Sequence, residues 1–156
     1  MISINKYSFL DNQNIKQAKS EIDKLTKSLF AVFTNKGKLV VNLEGIKDLF
    51  IPEGIIIKNV GPNYEYYNLQ QFIEPREKLL NSEALIDFEE EELSEQTTIT
   101  GNIAHRISIY QKSGILSGKS FHTTGVKNIQ FIKTTEGWKI NSLTWDDERE
   151  GLIITS

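Results

Sequence analysis

The sequence changes character at Ser82, and this change restricts the possible folds more than any other feature. Before it, apolar residues recur at helical spacing; after it, apolar and polar residues alternate between turns that contain glycine, serine or threonine. Helices that precede a run of strands, instead of alternating with them, indicate an α+β fold with an antiparallel sheet. The four strand-like segments are ALIDFEEEEL, NIAHRISIYQKSG, TGVKNIQFIKTTEG and WKINSLTWDDE.

The first helix is predicted to begin at Asp11 or Asn12, either of which can cap it, and to end at the sequence NKGK. Steps of three and four residues place its apolar side chains on one face, with lysine, glutamate and glutamine opposite. This apolar stripe contains Ile15, Ala18, Ile22, Leu25, Leu29 and Phe33.

Two shorter helices and one strand are predicted before Ser82. NLEGIKDLFIPEG predicts a helix that Asn42 caps and Pro52 stops. NLQQFIEPREKLLNS predicts a helix capped by Asn68, with a break or kink near Glu74 because Pro75 lies inside it. Between them, GIIIKNVG predicts a strand buried on both faces. A long curved sheet wrapped around three helices forms a cone, and its open end is a natural pocket.

Composition excludes several classes of function. The chain has 156 residues, which predicts a single domain over residues 1–156, and a net charge of −3 without a basic stripe, which argues against nucleic acid binding. It has no cysteine and no glycine-rich phosphate loop, so no cofactor or metal is expected. No stretch approaches the roughly 20 apolar residues of a membrane span, and no signal peptide is evident. We therefore expect a cytoplasmic protein.

The strand NIAHRISIY has one face that is more apolar than the other, and we expect that face to meet the helices. His105 shares it with Ile103, Ile107 and Ile109. A histidine there is either a hydrogen-bonded core residue or a general acid/base. The opposite parity would instead turn Arg106, Ser108 and Tyr110 inward.

The acidic strand DFEEEEL has more carboxylates than a strand buried on both faces can hold. Some must point to water, and one of Glu89, Glu90 and Glu91 is expected to meet Arg106 across the hairpin. The simplest interpretation is an exposed acidic face. The functional alternative is that one of these glutamates faces the cavity, with Asp87 as the next candidate, and that desolvation raises the pKa of the carboxyl so that it suits proton abstraction.

Two polar residues of the next strand, Asn128 and Gln130, share a face opposite Ile129 and Phe131. They would either orient a polar group of a ligand, or lie in solvent or at a subunit contact.

The connections on either side of this strand are also predicted. SGILSGKS predicts a long connection, KSFHTTG around His122 predicts a loop, and TTEG predicts a tight hairpin.

In the closing strand, Trp138 and Ile140 have one parity while Leu143 and Trp145 have the other. A bulge near Asn141–Ser142 would bring all four to one face. The following DDERE is interpreted as a polar rim. Its consecutive acids do not predict a metal site, because neighbouring residues of a strand point apart.

The chain resembles the SnoaL-like branch of the nuclear transport factor 2-like superfamily, most strongly after Ser82. Three positions depart from the pattern of that branch: Gln111 where an acid is usual, Lys127 where a small polar residue is usual, and Arg106 where an apolar one is usual. The matching positions are Gly101–Asn102, Ala104–His105, Ser108, Tyr110, Gly125, Asn128–Gln130, Trp138, Ile140, Trp145–Asp146 and Glu148.

The resemblance implies a cone-shaped curved antiparallel sheet packed on three N-terminal helices, and a homodimer joined through the sheet face. It leaves the activity open, since similar proteins include ketosteroid isomerases, polyketide cyclases, dehydratases and accessory domains. The first hypothesis is a homodimeric protein that binds a small, mostly apolar molecule in the cone. His105, Tyr110, Asn128, Gln130 and Trp145 are the predicted ligand contacts.

Two other hypotheses stay open. In an isomerase or cyclase, Asp87 or His105 would move a proton, and Tyr110 or Asn128 would stabilise an oxyanion. In a non-catalytic assembly module, a sheet face carrying Arg106 and Tyr110 would dock a partner.

Overall fold

The long first helix, α1, spans Ile4–Ala31 in the computed structural model, which describes residues 4–37 and 39–155, with side chains from residue 13 onward. The predicted cap at Asp11 or Asn12 is wrong, because the helical backbone runs through both. No glycine or proline precedes Gly37, so no residue type in this region opposes helix continuation. The predicted apolar stripe is buried at Ala18, Ile22, Leu29 and Phe33, whereas Ile15 is exposed.

The second helical segment is a 3₁₀ turn, Leu43–Gly45, followed by the short helix α2, Ile46–Leu49. The predicted cap is confirmed, since the Asn42 side chain accepts a hydrogen bond from the backbone N–H of Glu44 at 3.0 Å. Pro52 does not end this helix; it lies inside the strand β1, Phe50–Lys58.

The third helix, α3, spans Leu69–Leu80, and its predicted cap is also confirmed. The Asn68 side chain accepts from the Gln71 N–H at 2.8 Å, and the Gln71 side chain accepts from the Asn68 N–H at 2.9 Å. This reciprocal arrangement is a capping box. The predicted break at Pro75 is absent, because the helix is assigned without interruption from Leu69 to Leu80.

The six-stranded sheet has the order β2-β1-β6-β5-β4-β3. β2 (Glu65–Asn68) was not predicted; it pairs antiparallel with β1, which pairs parallel with β6 on its other side. Ile56 of β1 is buried, but Ile55 is exposed, so the predicted burial of this strand on both faces is wrong. The reason is that the helices of the chain cover only one face of the sheet.

The four-stranded antiparallel meander is confirmed as β3 (Leu85–Thr100), β4 (Ile103–Leu116), β5 (Lys119–Thr134) and β6 (Gly137–Asp147). The hairpin at TTEG is also confirmed. The expected long connection between β4 and β5 is instead a two-residue turn, in which Ser117 and Gly118 have φ values of 50° and 83°. Two positive φ values match the strand twist in a tight hairpin. His122 consequently lies in β5 and not in a loop.

The bulge predicted in the closing strand is confirmed. Ser142 pairs with Gln130 while Ile140 pairs with Phe131, which leaves Asn141 as the extra residue. As a result, both tryptophans face the core together, and all four predicted apolar side chains of the strand are buried: Trp138, Ile140, Leu143 and Trp145.

The predicted parity of β4 is wrong, and the opposite parity is correct. Arg106, Ser108 and Tyr110 are buried, whereas His105 is exposed. Counting apolar residues favoured the other face, but Ile107 and Ile109 are only half-buried on the outer side of the sheet. The inner face tolerates polar residues because each has a partner contributed by another element.

A charged cluster fastens α1 to the inner face of the sheet. One Arg106 nitrogen, Nη1, lies 2.6 Å from an Asp23 oxygen of α1, and Nη2 lies 2.6 Å from a Glu92 oxygen of β3. Lys19 of α1 bonds Glu95 of β3 at 2.8 Å. The predicted partner of Arg106 was Glu89, Glu90 or Glu91; Glu92 takes that role because the register shifts between Glu92 and Ser94. We call these five residues the α1 clamp.

Among the described residues, no helix is long and apolar enough to cross a membrane. The buried core lies between the three helices and the inner face of the sheet. The cavity described next lies within this layer, against residues of the core.

Candidate functional site

A cavity of about 240 Å³ lies between α1, α3 and the inner face of the sheet. Most of its wall is apolar, and α3 and the strands supply most of these side chains. The apolar lining residues are Leu29, Phe33, Ile46, Ile56, Phe72, Leu79, Leu80, Leu85, Phe88, Leu116, Phe121, Leu143 and Trp145. Five polar side chains complete the wall: Arg76, Glu90, Tyr110, Lys112 and Lys127.

The first polar feature of the cavity is a buried ion pair between β5 and β3. The Lys127 Nζ lies 3.2 Å from a Glu90 carboxylate oxygen, and both side chains are only 7% exposed. The same ammonium lies 4.2 Å from the centre of the Tyr110 ring. Burial lowers the pKa of Lys127 below its usual 10.5, although the Glu90 charge opposes that shift.

The second feature is a chain of hydrogen bonds across β4 and β6. The Tyr110 hydroxyl donates to Asp147 Oδ1 at 2.7 Å, and the Lys112 ammonium donates to Asp147 Oδ2 at 2.8 Å. Burial and the charges of Glu90 and Asp147 raise the pKa of Tyr110 far above 10. The phenol therefore stays protonated and acts as a donor at neutral pH.

A glycine makes this hydrogen-bond chain possible. Gly125 of β5 pairs with both Tyr110 and Asp147 in the sheet. A Cβ at Gly125 would lie 2.6 Å from Asp147 Oδ1 and 2.6 Å from a carbon of the Tyr110 ring. Any other residue would push the phenol and the carboxylate apart.

The third feature is Arg76 of α3. Its guanidinium carbon lies 4.6 Å from the centre of the Phe72 ring and 5.1 Å from that of Trp145. These two rings meet edge to face at a centroid distance of 6.2 Å. Burial lowers the pKa of Arg76 below its usual 12.5, and the charges of Glu90 and Tyr67 oppose the shift. The group remains a cation at neutral pH.

The predicted ligand contacts are divided between the two faces of the sheet. Tyr110 and Trp145 line the cavity. His105, Asn128 and Gln130 are exposed on the outer face, so the prediction that they face the cavity is wrong. The cause is the parity of β4, which also sets the parity of its neighbour β5 through the pairing of His105 with Gln130.

The predicted carboxylate, Asp87, also lies outside the cavity. It is exposed, with φ 53°, at the register shift between Ile86 and Glu89. The bulge reverses the parity of the strand beyond this point. Glu90, not Asp87, is therefore the acid of β3 that reaches the cavity.

Sequence reasoning missed four functional candidates, namely Arg76, Lys112, Lys127 and Asp147, and it named Glu90 only as one of several carboxylates that could face the cavity. Signals for some of them were present. Asp147 lies two residues after Trp145, so it shares the inward face of β6. Arg76 lies four residues after the buried Phe72, on the same side of α3. Lys127 was visible as an unusual residue at its position, but its interaction with Glu90 requires a strand that is distant in sequence.

The described residues include no group of three or more histidine, cysteine, aspartate or glutamate side chains that could hold a metal ion.

Solved structures share the architecture at low sequence identity. A nuclear transport factor 2-like superfamily protein from Salmonella enterica is similar with a TM-score of 0.71 at 16% identity, covering 91% of this chain and 99% of that one. A protein with a cystatin-like fold from Caulobacter vibrioides matches with a TM-score of 0.66 at 13% identity, covering 86% and 92%. The chain has the nuclear transport factor 2-like, or cystatin-like, fold.

Another protein of this fold, from Novosphingobium aromaticivorans, matches with a TM-score of 0.68 at 13% identity, covering 94% of this chain and 90% of that one. No family model matches the chain, and no curated protein matches it. The similarity therefore shows the fold, and the function has to be argued from the cavity.

Proposed function

We propose that this protein binds a small, mostly apolar molecule in the cone cavity, as a member of the SnoaL-like branch of its fold. The observation that supports this proposal is the cavity of about 240 Å³ itself, with an apolar wall and a few convergent polar groups. Such a combination is typical of small-molecule sites. A packed core normally leaves few voids larger than a water molecule.

The state of the polar groups favours binding over proton transfer. Glu90 is held by Lys127, and Asp147 accepts from both Tyr110 and Lys112. The carboxylate oxygens that take part in these contacts are already occupied by protein donors, so they are less accessible to a carbon-bound proton of a ligand. The groups that an isomerase or cyclase was expected to use, Asp87 and His105, lie outside the cavity. The enzymatic alternative therefore has less support than binding.

The outer face of the sheet supports a homodimer. Ile103 of β4 is exposed there, with Ile107 and Ile109 half-buried on the same strand, and Ile55 is exposed on β1, which β5 and β6 separate from β4 in the sheet. Exposed apolar side chains on an uncovered sheet face are typical of an interaction surface. We propose that two copies meet through it. The assembly hypothesis relied on Arg106 and Tyr110 as outward residues, and both are buried on the inner face.

Binding in the cavity is tested by blocking its mouth. Leu79 lines the cavity but is 37% exposed, so Leu79→Trp should narrow the entrance without disturbing the core. Leu39→Trp is the matched control, because Leu39 is 59% exposed and does not line the cavity. The probes are neutral: phenylacetamide, hexanamide and indole-3-acetamide, followed by ligand-observed nuclear magnetic resonance.

We expect at least one probe to bind the wild type and Leu39→Trp equally, and to bind Leu79→Trp about tenfold more weakly. Equal binding to all three proteins would place the probe outside the cavity and contradict the proposal. The same would follow if no probe bound at millimolar concentration. Native mass spectrometry of the freshly purified protein adds a second measurement, since a retained small molecule should be lost in Leu79→Trp.

A further inference from the structure

We propose that the ligand is an organic monocarboxylic acid and that Arg76 receives its carboxylate. This inference rests on the proposed function, because it names the chemical class of the molecule that occupies the same cavity. Nothing in the predicted set of ligand contacts included Arg76. Its assignment comes from the tertiary structure.

The first step is that Arg76 has no anionic partner among the side chains that the structure describes. Among the described side chains, residues 13–37 and 39–155, no carboxylate oxygen lies within 4.0 Å of its guanidinium nitrogens. Glu90 acts on it only as a more distant charge. The other two cations of the cavity are paired, Lys127 with Glu90 and Lys112 with Asp147. A cation in a largely apolar wall without a counter-charge is unfavourable, so an anion from outside would relieve it.

The second step is the charge of the cavity as a whole. Arg76, Lys112 and Lys127 carry three positive charges against the two negative charges of Glu90 and Asp147. One positive charge remains. A ligand with a single negative charge would balance it, whereas a dianion such as a phosphate monoester would leave an excess negative charge next to Glu90.

The third step is the geometry of the guanidinium. The rings of Phe72 and Trp145 lie against it at 4.6 and 5.1 Å from their centres to its central carbon. Contacts with a ring face stabilise the positive charge, but the rings accept no hydrogen bond from the N–H groups that lie in the guanidinium plane. Those donors form a rigid fork that fits two carboxylate oxygens. The same aromatic wall would pack against the apolar part of the ligand.

The fourth step is size. The cavity of about 240 Å³ exceeds the roughly 150 Å³ that holds a benzene molecule in an engineered protein core. The additional volume suits a single ring or a fused pair of rings with a short acid side chain, or a linear acid of about six to eight carbons. Phenylacetate, hexanoate and indole-3-acetate are therefore the probes.

The experiment compares each of these acids with its amide, which has nearly the same shape and no charge. Affinities are measured by calorimetry for the wild type, Arg76→Gln, Arg76→Lys and Arg149→Gln. Arg149 is the control because its side chain is exposed and lies outside the cavity. Thermal unfolding of each variant confirms that the proteins compared are folded.

We expect the acid to bind the wild type and Arg149→Gln about 10- to 100-fold more tightly than the amide. In Arg76→Gln this preference should disappear while the affinity for the amide stays within about twofold. Arg76→Lys should retain part of the preference, since it keeps the charge and loses the fork.

Each other result overturns a defined part of the argument. If the amides bind and the acids do not, or if both bind equally, the cavity is a ligand site but Arg76 does not receive a carboxylate. The inference also fails if Arg76→Gln keeps the preference, or if inorganic phosphate displaces the amides and the acids do not. If neither acids nor amides bind, the proposed function fails together with this inference.

Discussion

Two arginines face the interior of this protein, and their surroundings are opposite. Arg106 of β4 is enclosed by the carboxylates of Asp23 and Glu92, with a Glu95 oxygen at 3.6 Å. Arg76 of α3 lies against two aromatic rings in the cavity wall, with no carboxylate of the described side chains within 4.0 Å. A paired internal cation fastens elements together, whereas an unpaired one in a cavity is available to a ligand.

The comparison also explains why the two residues were not equally visible in the sequence. The acidic run of β3 indicates that some of its carboxylates need a cationic partner, and Arg106 of the next strand is an obvious candidate. Arg76 lies in an ordinary amphipathic helix, where its spacing from Phe72 places it on the inner side but does not show that a cavity lies there. Only the closure of the sheet over α3 makes that side a cavity wall.

The largest effect should follow from breaking the α1 clamp. In Arg106→Met, Glu92 loses its cation and keeps only the Ser108 hydroxyl, which donates to it at 2.5 Å. Asp23 is partly exposed and keeps Lys19, so the loss is smaller than for a fully buried pair. We expect about 2–3 kcal/mol less free energy of unfolding in urea. Arg149→Met, at an exposed position, should change it by less than about 0.5 kcal/mol.

Lowering the pH should also weaken the α1 clamp, because it protonates the carboxylates of the cluster. Burial alone would raise the pKa of Asp23, but hydrogen bonds from Lys19 and Arg106 outweigh it and lower the pKa below 3.8. The pKa of Glu95 is likewise lowered below 4.5, since Lys19 and Thr97 outweigh the effect of burial. A lowered carboxyl pKa contributes stability above the unfolded-state value and loses it as the pH falls through the folded-state value.

We therefore expect the free energy of unfolding of the wild type to decrease as the pH falls below about 4.5, the ordinary value for glutamate. In Arg106→Met this decrease should be shallower, because one of the two cations that lower the pKa of Asp23 is gone. Urea titrations between pH 6 and pH 3 measure both curves. Parallel curves would show that Arg106 does not set the pKa of these carboxyls in the folded protein.

The smallest effect on stability is expected at the other arginine. Arg76→Met removes an unpaired cation and keeps a side chain that can pack on Phe72 and Trp145. The free energy of unfolding should stay within about 1 kcal/mol of the wild type, or rise. A loss as large as that in Arg106→Met would mean that Arg76 is a structural residue, and the contrast between the two arginines would not hold.

Much of the fold was predictable because its signals are local. Asn42 and Asn68 cap helices through contacts within three residues, and the parity change between Ile140 and Leu143 locates the bulge at Asn141. The tight β4–β5 turn was missed because Ser117 has a positive φ, a conformation that a serine in the sequence does not predict. The short strand β2 was missed because four residues are too few to show alternation.

The candidate site was less predictable, because its residues meet only through tertiary contacts. Tyr110 and Trp145 were identified as ligand contacts and line the cavity, while their binding of a ligand stays a prediction. His105, Asn128 and Gln130 were placed on the wrong side because one error of parity in β4 propagates to its neighbour. Similarly, the register shift between Ile86 and Glu89 turns Glu90 toward the cavity and leaves Asp87 outside it.

The sequence by itself determined the α+β order of elements, the caps of the second and third helices, the closing bulge and the apolar stripe of α1, since each depends on residues close together in the chain. The tertiary structure alone decided which face of β4 turns inward, because Arg106 requires carboxylates from Asp23 and Glu92 to be buried. It also decided that Arg76 lines a cavity in which no described side chain pairs with it. Both outcomes depend on which residues, far apart in sequence, the fold brings together or keeps apart, and no local pattern can specify that.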